Sequence, residues 1–397
     1  MNKYTIPAAF SIAVMGVTSA FAAGMDRTRL PIAMMFEEGN YGSVAFSSTS
    51  PDVKDNRYAK TKSMYSDYSS VTGTFKTQIN EKLSVGLANY QSAGIDLSYI
   101  NSGSAFLGIT PPTTSFKTYP YVGLCALPRA VACTAGETGL LTAFGNISDP
   151  YVSLKVNSTA LLLGYKAKDD ITVLAGVKRS VGSATADIIA APYGDVTADD
   201  ASGIAMVVGA SYEKPEIALR ATLTYQAKTE MSHVTRTVLP NGTAATLQNT
   251  KSALPASLTL DFQTGIAENT LLYGPVHHAK WSDAHIYFDG STTPKSTWKT
   301  SNSYSLGIGR KLSDAWAISA SVNYEGANTP AGSSLLSTTD GVTGLTLGGK
   351  FSRDNMTVTA GVNQSKLGEK TVTSIAGAGK FTGGSVTTIG MKVGFNF

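Results

Sequence analysis

Cysteine, histidine and charge are all scarce in this chain. Of 397 residues, two are cysteine and four are histidine. No His-Glu-x-x-His or Gly-x-Ser-x-Gly element occurs, so the frames of a zinc or serine hydrolase are missing. Of His233, His277, His278 and His285, His277 and His278 point to opposite faces of a strand, and His278 and His285 also differ in parity. No catalytic group, metal site or cofactor is expected. Charged residues make up 15%, against ~25% in typical soluble domains. The formal net charge of +4 is too mild to indicate a nucleic-acid partner. No Pro- or Ser-rich linker divides the chain, which reads as one domain. No apolar run approaches the ~20 residues a spanning helix needs. If the chain crosses a membrane, it crosses as strands.

A charged tail is also missing. The chain ends Met391-Lys392-Val393-Gly394-Phe395-Asn396-Phe397. Met391, Val393, Phe395 and Phe397 fall on one face and Lys392, Gly394 and Asn396 on the other. A soluble strand would bury the oily face. A transmembrane barrel strand turns it to lipid and the other to a wet lumen. Phe395 and Phe397 are the expected assembly signal for the barrel-assembly machinery. At the other end, Lys3, the apolar stretch Ile6 to Val17 and Ala20-Phe21-Ala22 read as a cleaved secretory signal over residues 1–22.

From Tyr41 onward, strand-like stretches are joined alternately by tight turns and by longer polar connections. Fourteen are expected: Tyr41–Ser50, Ser69–Ile79, Leu83–Ile95, Tyr151–Lys166, Ile171–Ala186, Gly203–Tyr212, Ile217–His233, Ala256–Ile266, Thr270–Phe288, Asn302–Lys311, Ala315–Glu325, Gly344–Ser352, Met356–Lys366 and Ser385–Phe397. An even count puts both termini, and the tight turns, on one side. That asymmetry is the mark of an outer-membrane barrel, whereas a sandwich does not require it. The expected fold is therefore all-β, a 14-stranded antiparallel transmembrane β-barrel over residues 41–397. Parity assigns the faces. In the seventh strand Leu219, Ala221, Leu223 and Tyr225 oppose Arg220, Thr222, Thr224 and Gln226. In the eleventh, Trp316 to Tyr324 places an aromatic at each end of the oily face, as interfacial girdles need.

Two segments do not fit a plain water-filled barrel. Residues 23–40 carry Leu30, Ile32, Met34, Met35 and Phe36, too apolar for a tail in water, and are expected to form a short N-terminal lumenal plug. The connection from about 98 to 150 holds 24 apolar residues among 53 and four charges. Such a loop packs on itself, plugs the lumen or presents a greasy surface to a ligand. Phe106, Leu107, Phe116, Tyr121 and Leu124 are its candidate ligand contacts. Cys125 and Cys133, the only cysteines, lie in it and are expected to close a disulfide in a secreted chain.

Several motifs resemble the FadL/TodX-type transporters of hydrophobic compounds. They are Ala221-Thr222-Leu223-Thr224-Tyr225, then Leu254-Pro255-Ala256 leading to Lys280-Trp281-Ser282. Ser303-Tyr304-Ser305-Leu306-Gly307-Ile308-Gly309 follows, then Ala315-Trp316 and Asn328-Thr329-Pro330. The resemblance implies passive outer-membrane uptake of a hydrophobic small molecule, foremost a long-chain fatty acid, by a monomeric barrel in contact with outer-membrane lipid. Capture in a loop groove is followed by lateral release. Two departures stand out. No Asn-Pro-Ala element occurs between Ala23 and Tyr41, and Tyr287-Phe288 stand where a carboxylate-binding cation is expected. Parity offers Lys178, Arg220 and Lys280 instead, each able to give a charge-assisted bond. A neutral hydrocarbon would need none of them. The rival reading is a general diffusion porin, which calls for a charged constriction.

Overall fold

The computed structural model describes residues 25–54, 63–98, 151–188, 194–238, 244–287, 292, 294, 296, 298–327, 336, 339–374 and 377–397. The expected signal segment, the long connection beyond Ser98 and both cysteines lie outside them, with the loop contacts Phe106, Leu107, Phe116, Tyr121 and Leu124.

Alternating side chains dictate strands throughout. The first half contains β1 (Tyr41–Asp52), β2 (Tyr68–Gln78), β3 (Leu83–Ser98), β4 (Tyr151–Lys168), β5 (Ile171–Ile188), β6 (Gly194–Lys214) and β7 (Leu219–Gln226). There follow β8 (Thr229–Val238), β9 (Ala244–Leu254), β10 (Ser257–Ala267), β11 (Thr270–Ala279), β12 (Ser301–Lys311) and β13 (Trp316–Glu325). The last are β14 (Val342–Arg353), β15 (Met356–Leu367), β16 (Lys370–Ser374), β17 (Gly377–Phe381) and β18 (Ser385–Asn396). Fourteen of these form a closed antiparallel barrel: β1 to β7, β10 to β15 and β18. Closure is made where β18 pairs with both β1 and β15, so the barrel strands have no free end strand.

The termini and tight turns share one end, as the even strand number requires. Phe397 donates its N–H to the Asn40 carbonyl. Asn269 and Asp354 take the left-handed conformation in their turns, which short polar side chains tolerate. Outward residues are oily: Val44 and Phe46, Leu161 and Leu163, Ile204 and Met206, Leu306 and Ile308, Ile389 and Met391 are all exposed. A belt that large is stable against lipid rather than water. Its rims are aromatic. Trp316 meets Phe351 at 5.0 Å and Phe75 meets Phe397 at 6.0 Å near the terminal end, and Tyr304 is paired with Tyr324 towards the other.

Two pairs of strands were not anticipated. The β8–β9 hairpin adds to the upper part of β6 through Asp195–Ala198, so β6 runs 21 residues rather than starting at Gly203. The expected seventh strand stops at Gln226, because the chain turns at Ala227-Lys228 and begins β8. The ninth stops at Ala279, where Trp281–Asp283 make a 3-10 turn.

The second addition, β16–β17, sits in the last long connection. Lys370 is buried there, and burial pulls its ammonium down to about 8, with Asp340 opposing the shift. The unfolded hairpin therefore carries more protons between about 8 and the ordinary lysine value. Hairpin stability rises with pH across that window and is constant below it. The lysine ε-methylene resonance assigned through Lys370→Arg should titrate near 8; an ordinary midpoint near 10.4 would contradict the burial.

Candidate functional site

The lumen has two storeys. The upper one is apolar. Side chains from nearly every part of the wall converge there, including Ile95 of β3, Met231 of β8, Leu254 of β9, Leu367 of β15 and Val386 of β18, all buried. Trp281 and Trp298 lie at its centre, edge to face at 5.2 Å. Both are fully buried, and together they bring a large apolar surface to one point. The lower storey is a cavity of about 260 Å³ between the N-terminal segment and the inward faces of β1, β2, β7, β10, β11 and β18. Serine and threonine dominate its barrel side. Tyr68 borders both storeys.

The segment from Met25 to Asn40 runs between them. Its 3-10 helix Ile32–Phe36 buries Ile32, Met34 and Met35 against β3 and β4. The wall makes room with glycine: a Cβ on Gly86 would run into the Met35 sulfur, and one on Gly164 would stand 3.1 Å from Met35 Cε. Polar anchors fix the rest. Trp281 Nε1 donates to Asp26 Oδ2 at 3.0 Å, and Arg29 Nη2 donates to Ser303 Oγ at 2.9 Å. Lys76 Nζ donates to the carbonyls of Glu37 and Gly39, both at 2.8 Å. Burial pushes the Asp26 carboxyl above its usual range, while the Trp281 bond and the charges of Arg29 and Lys178 pull it back.

A seam in the wall lies beside this segment. β2 and β3 pair only between Gly73/Asn89 and Gln78/Ser84. Above that, β2 stays with β1 and β3 stays with β4. A bulge between Gln91 and Ala93 turns β3 away, since an extra residue bends the strand and sharpens its twist. The N-terminal segment fills the freed edge. Arg27 N–H donates to Ser92 O, Thr28 N–H to Gln91 O, and Gly94 N–H to Met25 O. From the β2 side, the Tyr68 ring lies 3.3 Å from the Arg27 guanidinium.

Of the three cations chosen by parity, two face inward. Lys178 is 4% exposed and donates to Gln226 Oε1 at 3.1 Å. Arg220 donates to Gln263 Oε1 at 3.3 Å and lies 4.7 Å from the Phe36 ring centroid. Lys280 does not join them: it is exposed beyond the end of β11. Ala279 and Trp281 are the inward neighbours, so Lys280 has outward parity. Sequence reasoning missed Asp26, Arg29, Tyr68 and Trp298. Their partners lie far off in sequence, and only the apolarity of Leu30 to Phe36 hinted that the segment is buried.

A closed barrel with an oily outer belt, whose lumen holds an apolar layer and an inserted N-terminal segment, defines the architecture of a transmembrane β-barrel. No protein-family model matches the chain, and no curated protein sequence matches it. Solved structures do. A FadL homologue from Pseudomonas aeruginosa superposes with a TM-score of 0.65 at 14% identity, covering 92% of each chain. The toluene transporter TodX of Pseudomonas putida gives 0.60 at 15% identity, covering 95% of this chain and 96% of its own. The toluene transporter TbuX of Ralstonia pickettii gives 0.56 at 13%, covering 96% and 98%. The fold is thus that of the FadL/TodX-type barrels.

Proposed function

We propose that this protein is an outer-membrane transporter for passive uptake of hydrophobic small molecules. The observation that carries this reading is the apolar upper storey inside a barrel. A diffusion porin needs a wet, charged constriction there. An apolar layer offsets the ~0.8 kcal/mol per CH₂ that a hydrophobe otherwise loses on entering water. Cargo is captured from outside, passes the upper storey, and leaves sideways through the β2–β3 seam into lipid. The seam supports lateral release because there the wall is held by the N-terminal segment in place of a strand pair. The segment acts as the plug. The chain works as a monomer after loss of residues 1–22, and is inserted by the barrel-assembly machinery through Phe395 and Phe397.

The expectation of a long-chain fatty acid competes with that of a neutral hydrocarbon. The toluene carriers of similar fold support the second. So does the lumen: Lys178 and Arg220 are engaged by Gln226, Gln263 and Phe36. The cavity exceeds the roughly 150 Å³ that suffices for benzene, yet a long chain would have to thread out of it. Cells lacking their own transporter should gain uptake of labelled toluene when this protein is expressed, and gain less of labelled oleate. Uptake of neither, with the barrel folded in the outer membrane, would overturn the reading.

A further inference from the structure

We infer that the preferred cargo is a hydrophobe carrying one neutral hydrogen-bonding group, such as a phenol, alcohol or ketone, with its apolar body in the upper storey and its polar end in the cavity below. This rests on the proposed uptake of hydrophobic molecules and narrows its substrate class.

The cavity wall is built from hydroxyls in pairs. Ser43 Oγ lies 2.7 Å from Thr74 Oγ1, and Ser47 Oγ lies 2.7 Å from Ser70 Oγ. All four line the cavity. One O–H in each pair bonds its neighbour. In the Ser47–Ser70 pair the other O–H, with the remaining lone pairs, is available to a visitor. Opposite them, Thr224 also lines the cavity and is 3% exposed. Its Oγ1 is buried without a hydrogen-bond partner. A buried hydroxyl left in that state is costly, and a rotation about its Cα–Cβ bond that turned it to a cargo oxygen would relieve the cost.

Arg27, Arg29, Arg220 and Lys392 line the cavity with Glu37 and Asp261, and three of the cations are already engaged, Arg27 by the Tyr68 ring. Asp261 lines the same cavity and, with Asp26 and Glu325, sets its charge against Arg29. Arg29 is bonded to Ser303 and Arg220 to Gln263. A carboxylate entering would have to displace those partners before it gained a charge-assisted bond. A hydrocarbon would pass, but would leave Thr224 unsatisfied. A phenol-like group satisfies the hydroxyls without adding charge. Tyr68 borders both storeys, so a cargo reaching from one to the other would pass beside it.

Three ring compounds of similar shape separate the cases: toluene, p-cresol and p-toluate. Binding to the full mature chain in lipid nanodiscs is measured by equilibrium dialysis, after subtraction of empty nanodiscs and correction for membrane partition. We expect p-cresol to bind about tenfold tighter than toluene, the ratio that one neutral hydrogen bond of ~1.4 kcal/mol supplies, and p-toluate to bind weakest. In Thr224→Val the cresol-to-toluene ratio should fall towards one. Equal binding of cresol and toluene in the wild type would overturn this inference and leave hydrophobic uptake standing. Tightest binding by p-toluate would also overturn it, in favour of an acid carrier. Binding of none of the three would overturn both this inference and the uptake reading beneath it.

Discussion

Deleting Met25–Phe36 is expected to turn a nearly silent barrel into a conducting one. In planar bilayers the full mature chain should give almost no steady current, because this segment crosses the lumen from the β3 edge to Ser303 of β12. The deletion removes no barrel strand. It leaves Glu37 to Asn40, which Lys76 and Phe397 hold at the terminal end. The serines and threonines thus uncovered would fill with water, and a barrel of fourteen strands lies just below the 16–18-stranded porins that carry an aqueous channel. Steady steps of porin size are the expected record. A milder form of the test is Gly86→Leu, whose side chain needs the space held by Met34 and Met35; it should give flickering, partial openings. A silent deletion variant with a folded barrel would show that the segment is not what blocks the lumen.

The second large effect is expected at Trp281. Its side chain is fully buried, packs edge to face on Trp298 and donates to Asp26. Trp281→Ala should cost about 3–5 kcal/mol, the usual range for emptying a buried aromatic site, and leave the buried Asp26 carboxylate without that donor. Heat-modifiability on gels should show the barrel opening at a lower temperature, and toluene uptake should collapse. Trp281→Phe separates the two losses. It keeps most of the apolar volume and removes only the N–H. If the anchor matters, this variant should loosen Arg27 and Thr28, read as faster exchange of their amide protons, while the upper storey stays packed. Unchanged exchange would assign Trp281 to packing alone.

Much of the wall could be read directly from the chain because its physics is local. Trp316, Ile318, Val322 and Tyr324 face out and Ala317, Ser321 and Glu325 face in, as their alternation requires. The β8–β9 hairpin escaped for an equally local reason. Parity flips at Ala227-Lys228: Thr222, Thr224 and Gln226 point inward before it, and Thr229, Met231 and His233 after it. Read as one strand, the run from Ile217 to His233 hides that flip. The lower part of the same problem is β6, whose extension holds Asp195, Asp199 and Asp200 and so resembles a loop. Strand pairing, not propensity, makes it extended. The site was less accessible still. Asp26 and Trp281 are 255 positions apart, and no periodicity connects them. The inward places of Lys178 and Arg220 followed from parity, but their partners Gln226 and Gln263 did not.

The length of β6 has a consequence for where transport begins. At ~3.3 Å per residue its 21 residues extend roughly 70 Å along the strand, or roughly 50 Å in height at the usual tilt, against an oily belt of about 25 Å. The upper half of β6, stiffened by β8 and β9, therefore stands clear of the bilayer. In the transporter proposed above, this extension would act as a chimney. That rise would lift the mouth of the lumen above the lipid headgroups, so the proposed cargo would enter from the aqueous side and not from within the belt.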